Sequence, residues 1–167
     1  MDRAAFAVGQ WTSERPDLDT LPMLVLGRLG EANNLIRRDR VEPLFASFGL
    51  QAGEFDVLAT LRRAGAPYAM TPTALYQATM ISSGAMTNRL DRLEKAGLIA
   101  RAPDPQDRRG TIVSLTKKGR GLIDRALDAH VENQRKVLAG LTRSEQKALA
   151  DLLGKLIASQ DEEGKAG

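Results

Sequence analysis

Apolar residues recur at helical spacing along most of the chain, with breaks where glycine and proline cluster. Residues 1–22 predict a short helix followed by a turn. Residues 23–48 predict a longer helix that Pro43 interrupts, because proline lacks an amide hydrogen and its ring clashes with the preceding turn. The apolar residues on the main core face of the next helix, over residues 51–64, are Phe55, Leu58 and Leu61.

Capping signals delimit two further helices. Thr71 followed by Pro72 is typical of a helix start, and it predicts a short helix over residues 73–78. A second helix is predicted over residues 82–95, with Gly97 as its left-handed cap. The order of these elements indicates two consecutive helices joined by a tight connection.

The apolar period then changes from that of a helix to that of a strand. Residues 98–101 and 111–115 both resemble strands, and a polar segment with two prolines separates them. We therefore predict a β-hairpin with a long basic tip.

Two long helices complete the pattern. Thr116 caps the first, which ends near residue 138, and a capping box formed by Thr142 and Glu145 opens the second. Nothing in the centre of the chain can cover the apolar stripes at both ends, so we expect a second copy to bury them. The apolar stripe of the last helix consists of Leu149, Leu152, Leu153 and Leu156.

The expected fold is mainly α with a small β-hairpin, in the order of a winged helix-turn-helix with N- and C-terminal dimerisation helices. We expect one compact domain of four segments. These segments are an extra helix and a dimerisation helix over 1–50, the winged region over 51–116, C-terminal dimerisation helices over 117–160, and a tail over 161–167.

Composition narrows the possible functions. The 167 residues include no cysteine and only one histidine, which argues against disulfides, thiol chemistry and multi-histidine metal sites. We therefore expect no catalytic site, no metal and no cofactor. The chain has no long apolar run and no signal sequence, so we expect a cytoplasmic protein without a membrane partner. His130 is interpreted as a core or dimer residue, with pH sensing as the alternative.

Positive charge is concentrated in the centre of the chain. Residues 82–120 contain nine Lys or Arg and four Asp or Glu, a net charge of +5, whereas the whole chain carries +3. A basic centre between slightly acidic ends indicates a surface for a polyanion, with a solvated charged face as the alternative.

The helix over residues 82–95 has the pattern of a DNA-reading helix. Met86, Leu90 and Leu93 form one apolar stripe, while small polar and amide side chains occupy the opposite face, as a major groove requires. The residues expected at the groove are Ser82, Ser83, Thr87, Asn88 and Arg92. Arg108 and Arg109 at the hairpin tip suit a minor groove, and Asp107 would position them.

Three sequence segments identify a family resemblance. The segments LDRLEKAGLIAR (residues 90–101), DRRGTIVSLT (107–116) and KKGRGLI (117–123) resemble the MarR family of transcription factors. The resemblance implies a homodimer that binds double-stranded DNA at a pseudo-palindromic site. It also implies a ligand-responsive repressor, often of a gene for an efflux transporter.

Several charged residues indicate an effector site. Asp56 and Arg63 lie on one side of their helix. Arg89 should lean toward the protein interior, where it needs an anionic partner, and Asp56 is the expected one. The extended N-terminus with Trp11 resembles the urate-responsive branch of the family. That resemblance implies ligand sensing by Trp11, Asp56 and Arg89, with Arg63 pairing the anion.

The expected effector is urate, xanthine or a similar aromatic anion. Three alternatives remain at this point: a phenolic acid as effector, a winged-helix interaction module without DNA binding, and a small hydrolase or transferase. A Ser/His/Asp arrangement and a phosphate-binding glycine-rich loop are both missing from the sequence, which disfavours the enzyme.

Overall fold

The residues that the computed structural model describes are 1–79, 83–105, 107 and 110–163, of which 83–85 and 161–163 are described by their backbone alone. The chain divides into two compact units, Met1–His130 and Val131–Gly167. No helix in these ranges is both long and apolar enough to cross a membrane.

The first unit begins with α1 (Arg3–Glu14) and α2 (Leu21–Ile36), which pack against each other. Residues Arg37–Val41 form a π-helical segment, in which the Glu42 amide donates to the Arg37 carbonyl five residues earlier. Helix α3 (Glu42–Ser47) follows and has Pro43 in its first turn. The interruption predicted at Pro43 is therefore confirmed, and it takes the form of a widened turn because proline offers no amide hydrogen to the regular pattern.

Three helices form the centre of the first unit. They are α4 (Ala52–Arg63), α5 (Pro72–Ala78) and α6 (Ser83–Lys95). The predicted cap of α5 is confirmed, since the Thr71 hydroxyl accepts a hydrogen bond from the Ala74 amide at 3.2 Å. Gly97 has a φ of 70° just after α6, which is the left-handed conformation predicted for it.

The predicted hairpin is present and gains a third strand. Strands β2 (Ile99–Pro103) and β3 (Thr111–Leu115) are antiparallel, with Arg101 opposite Val113. The short strand β1 (Ala69–Met70) pairs with the other edge of β3, giving the order β1-β3-β2. Two residues are too few to show a strand period, so the sequence pattern did not reveal β1.

Two long helices follow the sheet, α7 (Lys117–Val137) and α8 (Arg143–Glu163). The Thr116 hydroxyl accepts a hydrogen bond from the Gly119 amide at 2.9 Å and so caps α7. At the start of α8, the Thr142 amide donates to the Glu145 carboxylate at 2.7 Å, and the Glu145 amide donates to the Thr142 hydroxyl at 3.3 Å. Both predicted caps are confirmed.

One apolar core lies among the helices and the sheet of the first unit. The core face predicted for α4 is confirmed by the burial of Phe55, Leu58 and Leu61. The stripe predicted for α6 is confirmed in the same way. The largest fully buried side chains are Val57, Leu58, Leu61, Leu75, Leu93, Ile99, Val113 and Ile123.

Candidate nucleic-acid interface and effector cavity

Helix α6 presents a polar face to solvent. Its apolar stripe of Met86, Leu90 and Leu93 is between 1% and 5% exposed. Thr87 and Asn88, on other sides of the helix, are exposed. The helix is therefore anchored by its apolar stripe and leaves hydroxyl and amide groups available to an external partner.

Several residues expected at a DNA surface cannot be placed. Ser82, Arg108 and Arg109 lie outside the described residues, and Ser83 is described by its backbone alone. Asp107 is exposed near the end of the β2–β3 connection, where its carbonyl accepts a hydrogen bond from the Gly110 amide at 2.8 Å. The structure thus places Asp107 at the wing, while the roles expected for the two neighbouring arginines stay predictions.

Arg92 forms an ion pair with α4. Its Nε atom lies 2.8 Å from Oε1 of Glu54, whose side chain is only 4% exposed, whereas the Arg92 side chain is 56% exposed. The other carboxylate oxygen of Glu54 accepts a hydrogen bond from the Gln51 amide at 2.8 Å. A residue that was expected to face the groove therefore reaches back to a buried carboxylate at the start of α4.

A second set of ion pairs connects α6 to the wing. Nη2 of Arg101, on β2, lies 2.6 Å from Oδ1 of Asp91, and its Nε lies 3.7 Å from the Glu94 carboxylate. The Arg101 amide also donates to Glu94 at 3.2 Å. Helix α6 and strand β2 are thereby held together by side chains from both.

A cavity of about 540 Å³ opens beside α4. Asp56 and Arg63 both line it, and Arg63 donates a hydrogen bond to the Ala78 carbonyl at the end of α5. Its size is within the range of small-molecule sites. The residues that line the cavity are Phe55, Asp56, Ala59, Thr60, Arg62, Arg63, Ala78, Thr79, Asp124 and Leu127.

The electrostatics of the cavity centre on Asp56. Desolvation by the surrounding protein raises the pKa of Asp56, although the positive charges of Arg89, Arg63 and His130 oppose the shift. Burial lowers the pKa of His130, and Asp56 opposes that shift. A carboxylate with a raised pKa at the edge of a cavity takes up a proton more readily when a second anion approaches.

His130 lies against two aromatic rings. Its ring centroid is 5.3 Å from that of Phe45 and 5.0 Å from that of Phe55, and these two phenylalanines stack on each other at 4.1 Å. This placement agrees with its interpretation as a core residue, and a role in pH sensing stays a prediction.

Arg89 packs against the first turn of α4. Its guanidinium group lies so close to Gly53 that a Cβ atom at that position would overlap the Arg89 Nε atom. Its Nη1 atom is buried and has no hydrogen-bond partner among the described residues. Asp56 and Arg89 influence each other through their charges, but within the described ranges no ion pair shorter than 4 Å joins them.

The expected effector residues are therefore only partly brought together. Asp56 and Arg63 share the cavity, Arg89 acts on Asp56 electrostatically, and Trp11 is half-exposed on α1 and is not part of the cavity lining. Sequence reasoning missed two contributors, Gly53 and Glu54. The spacing of Gln51 and Glu54 is that of a capping box, and this signal could have drawn attention to Glu54.

Comparison with known proteins gives matches along most of the chain. Residues 48–110 match the model of the MarR family. The chain is 47% identical over 149 residues to the HTH-type transcriptional regulator PecS of Dickeya dadantii, and the match covers 89% of each chain.

Solved structures agree with the sequence match. A MarR variant from Escherichia coli in complex with operator DNA has a TM-score of 0.70 and 28% identity, over 87% of this chain and 96% of that one. BpsR of Bordetella bronchiseptica, whose DNA binding is regulated by 6-hydroxynicotinic acid, has a TM-score of 0.62 and 30% identity, over 74% of this chain and 91% of that one.

Proposed function

The chain belongs to the MarR family of transcriptional regulators, and on that premise we propose that it is a ligand-responsive repressor. It binds a pseudo-palindromic DNA site as a homodimer, with α6 in the major groove and the β2–β3 wing in the minor groove. A small aromatic anion, such as urate or a related purine, releases it from DNA. The regulated gene encodes an efflux transporter.

The polar, exposed face of α6 is the observation that carries this proposal. Asn88 can pair with an adenine edge and Thr87 with a base or a phosphate, and both side chains are exposed on a helix that is otherwise fixed in the core. The DNA complex of the similar MarR protein from Escherichia coli supports this arrangement. Asp107 helps to hold the wing, where Arg108 and Arg109 supply the minor-groove contacts.

The cavity beside α4 supports an anionic aromatic effector. Arg63 provides a cation at its wall, Phe55 and Leu127 provide apolar surface, and Asp56 provides an acceptor for ring N–H groups. The regulation of BpsR by 6-hydroxynicotinic acid supports a ligand of this class. Trp11 of α1 is not part of this cavity lining, and in this proposal it takes part in ligand sensing by stacking on the ligand ring or donating its indole N–H.

The ligand releases the protein from DNA because it competes with Asp56 for the positive charges of nearby arginines. In the absence of a ligand, Asp56 attracts Arg89 and Arg63, and Arg63 is bonded to the end of α5. An anion in the cavity competes with Asp56 for these arginines, and the shift of Arg89 changes the position of α6. A coupling of about 1–3 kcal/mol between the two sites would weaken DNA binding by about 5- to 150-fold.

A mobility-shift titration tests the proposal directly. The protein is mixed with its own upstream DNA and then with urate, xanthine, 6-hydroxynicotinic acid or salicylate, and the dissociation constant is measured with each. We expect nanomolar to tens-of-nanomolar binding without a ligand and weaker binding with a purine. Release by salicylate and by none of the purines would show that the effector is a phenolic acid and not a purine.

Substitution of Arg89 tests the mechanism in the same assay. Arg89→Ala should retain DNA binding and lose release by the ligand. The matched control is Arg125→Ala, which removes an exposed arginine of α7 whose bond among the described residues is to its own helix, at the Gly121 carbonyl. Release that is unchanged in Arg89→Ala would remove Arg89 from the mechanism, and a wild-type protein without affinity for any DNA would refute the proposed function.

A further inference from the structure

Glu54 is a buried carboxylate with two partners from different elements. One oxygen accepts the Gln51 amide and so closes the capping box of α4, while the other lies 2.8 Å from Nε of Arg92 on α6. The side chain is 4% exposed, so water supplies almost none of its solvation. Arg92 is thus the cationic partner of Glu54.

This dependence restricts what Arg92 can do at a DNA surface. If Arg92 turned outward to a phosphate, the Glu54 carboxylate would stay buried with only the Gln51 amide as a partner. Glu54 is the buried member of the pair, so the loss of Arg92 would leave its charge uncompensated, which is destabilising. The ion pair therefore favours an Arg92 side chain that stays directed toward α4.

A second contact between the same two helices lies one turn away. Arg89 precedes Arg92 by three residues, and its guanidinium group packs against Gly53, the neighbour of Glu54. Residues three apart lie on one side of a helix. The first turn of α4 therefore receives two consecutive arginines of α6.

We propose that Arg92 is a positioning residue that fixes α6 against α4 through Glu54, and that it is not a DNA contact. The expectation of a groove contact for Arg92 is replaced by this role. The inference rests on the proposed function, because the orientation that Arg92 fixes is the one in which α6 enters the groove.

Salt dependence of DNA binding separates the two roles of Arg92. Glu54→Gln and Arg92→Gln are measured alone and together, at several salt concentrations. Glutamine at position 54 keeps an oxygen for the Gln51 amide and removes the charge. A lost phosphate contact would reduce the slope of log affinity against log salt by about 1, whereas a lost positioning pair leaves the slope unchanged.

The expected result is coupled behaviour. Glu54→Gln and Arg92→Gln should each weaken DNA binding, and Arg92→Gln should do so more, by about 10-fold, because it leaves the Glu54 carboxylate buried and unpaired. The double variant should bind no more weakly than Arg92→Gln, rather than about 100-fold more weakly than the wild type, because both substitutions remove the same interaction. Glu132→Gln is the matched control, since it removes a carboxylate from an exposed pair with Arg135 on α7. It should leave affinity unchanged.

Two outcomes would overturn the inference. One is a smaller salt slope for Arg92→Gln together with unchanged or tighter binding by Glu54→Gln, which would make Arg92 a phosphate contact. The other concerns hydrogen exchange of the α6 amides without DNA. Both single variants should accelerate that exchange, and unchanged exchange would refute the positioning role even if the wild type binds no DNA and the proposed function fails.

Discussion

Helices α6 and α8 have similar leucine spacing and opposite burial. On α6, Met86, Leu90 and Leu93 are between 1% and 5% exposed, because α4 and the sheet cover them. On α8, Leu149, Leu152 and Leu156 recur with similar spacing but are between 37% and 66% exposed. Apolar stripes of this kind are stable in water only when another surface covers them.

The difference in burial shows which helices the chain stabilises by its own contacts and which helices need a partner to cover their apolar side chains. The apolar stripe of α6 is buried in the core of the first unit, so this helix is fixed by contacts within the chain. The end helices carry apolar side chains that a second copy would bury, in agreement with the proposed homodimer. Helix α2 also has exposed apolar side chains, since Leu21, Val25 and Leu26 are each more than half exposed.

Introducing a charged side chain into the apolar stripe of α8 should have the largest effect on dimerisation and DNA binding. In a homodimer, Leu152→Glu would remove an apolar side chain from both copies, each worth about 1.5–3 kcal/mol when buried. We therefore expect dimerisation and DNA affinity to fall by at least about 100-fold. Light scattering after gel filtration and a DNA mobility shift measure the two quantities.

Lys147→Gln is the matched control for that variant. It changes the charge of α8 by the same −1 and lies on the side of the helix opposite the stripe. It should remain dimeric. A Leu152→Glu protein that stays dimeric and binds DNA normally would show that α8 does not take part in the interface.

Replacing one leucine by alanine in the buried core and one in the α8 stripe should give smaller effects that differ in kind. Leu58→Ala should lower the free energy of unfolding by about 3 kcal/mol, because Leu58 is fully buried and its removal leaves a cavity. Leu152→Ala should instead raise the dissociation constant of the dimer, because it removes apolar surface that the second copy would cover. Denaturant unfolding measures the first quantity and sedimentation equilibrium the second, and an equally raised dissociation constant in the two variants would contradict the comparison.

Substitution of Asp56 should have the smallest effect on stability, and that effect should depend on pH. Its pKa in the folded protein is raised above 3.8, so the protonated form is favoured on folding. That stabilisation is complete below pH 3.8 and is lost as pH rises through the raised pKa. Asp56→Asn should therefore melt at a higher temperature than the wild type at pH 7, and the difference should shrink toward pH 4. A difference that grows as pH falls would contradict the raised pKa.

Local signals made most of the fold predictable from the sequence. The caps at Thr71, Thr116 and Thr142 depend on residues within one helical turn, and all three form the predicted hydrogen bonds. The burial of Leu58 and Leu93 follows from helical spacing alone. Such features require no knowledge of how distant segments meet.

The candidate site was less predictable because it depends on contacts between distant residues. Glu54 and Arg92 are separated by 38 positions, and helical angles placed Arg92 at the edge of the polar face without indicating a partner. Gly53 shows the same limit, since only the observed position of Arg89 explains why a glycine is needed there. Strand β1 was not predicted because its two residues are too few to show a strand period.

The mass of the protein–DNA complex is the most direct test of the central claim that two copies bind one duplex through α6 and the wing. A duplex with two half-sites one helical turn apart is mixed with the protein, and light scattering after gel filtration gives the mass. We expect two chains of 18.1 kDa per duplex, and loss of one chain or of all binding when one half-site is scrambled. A complex with a single chain at undiminished affinity, or no complex with any duplex, would contradict the claim.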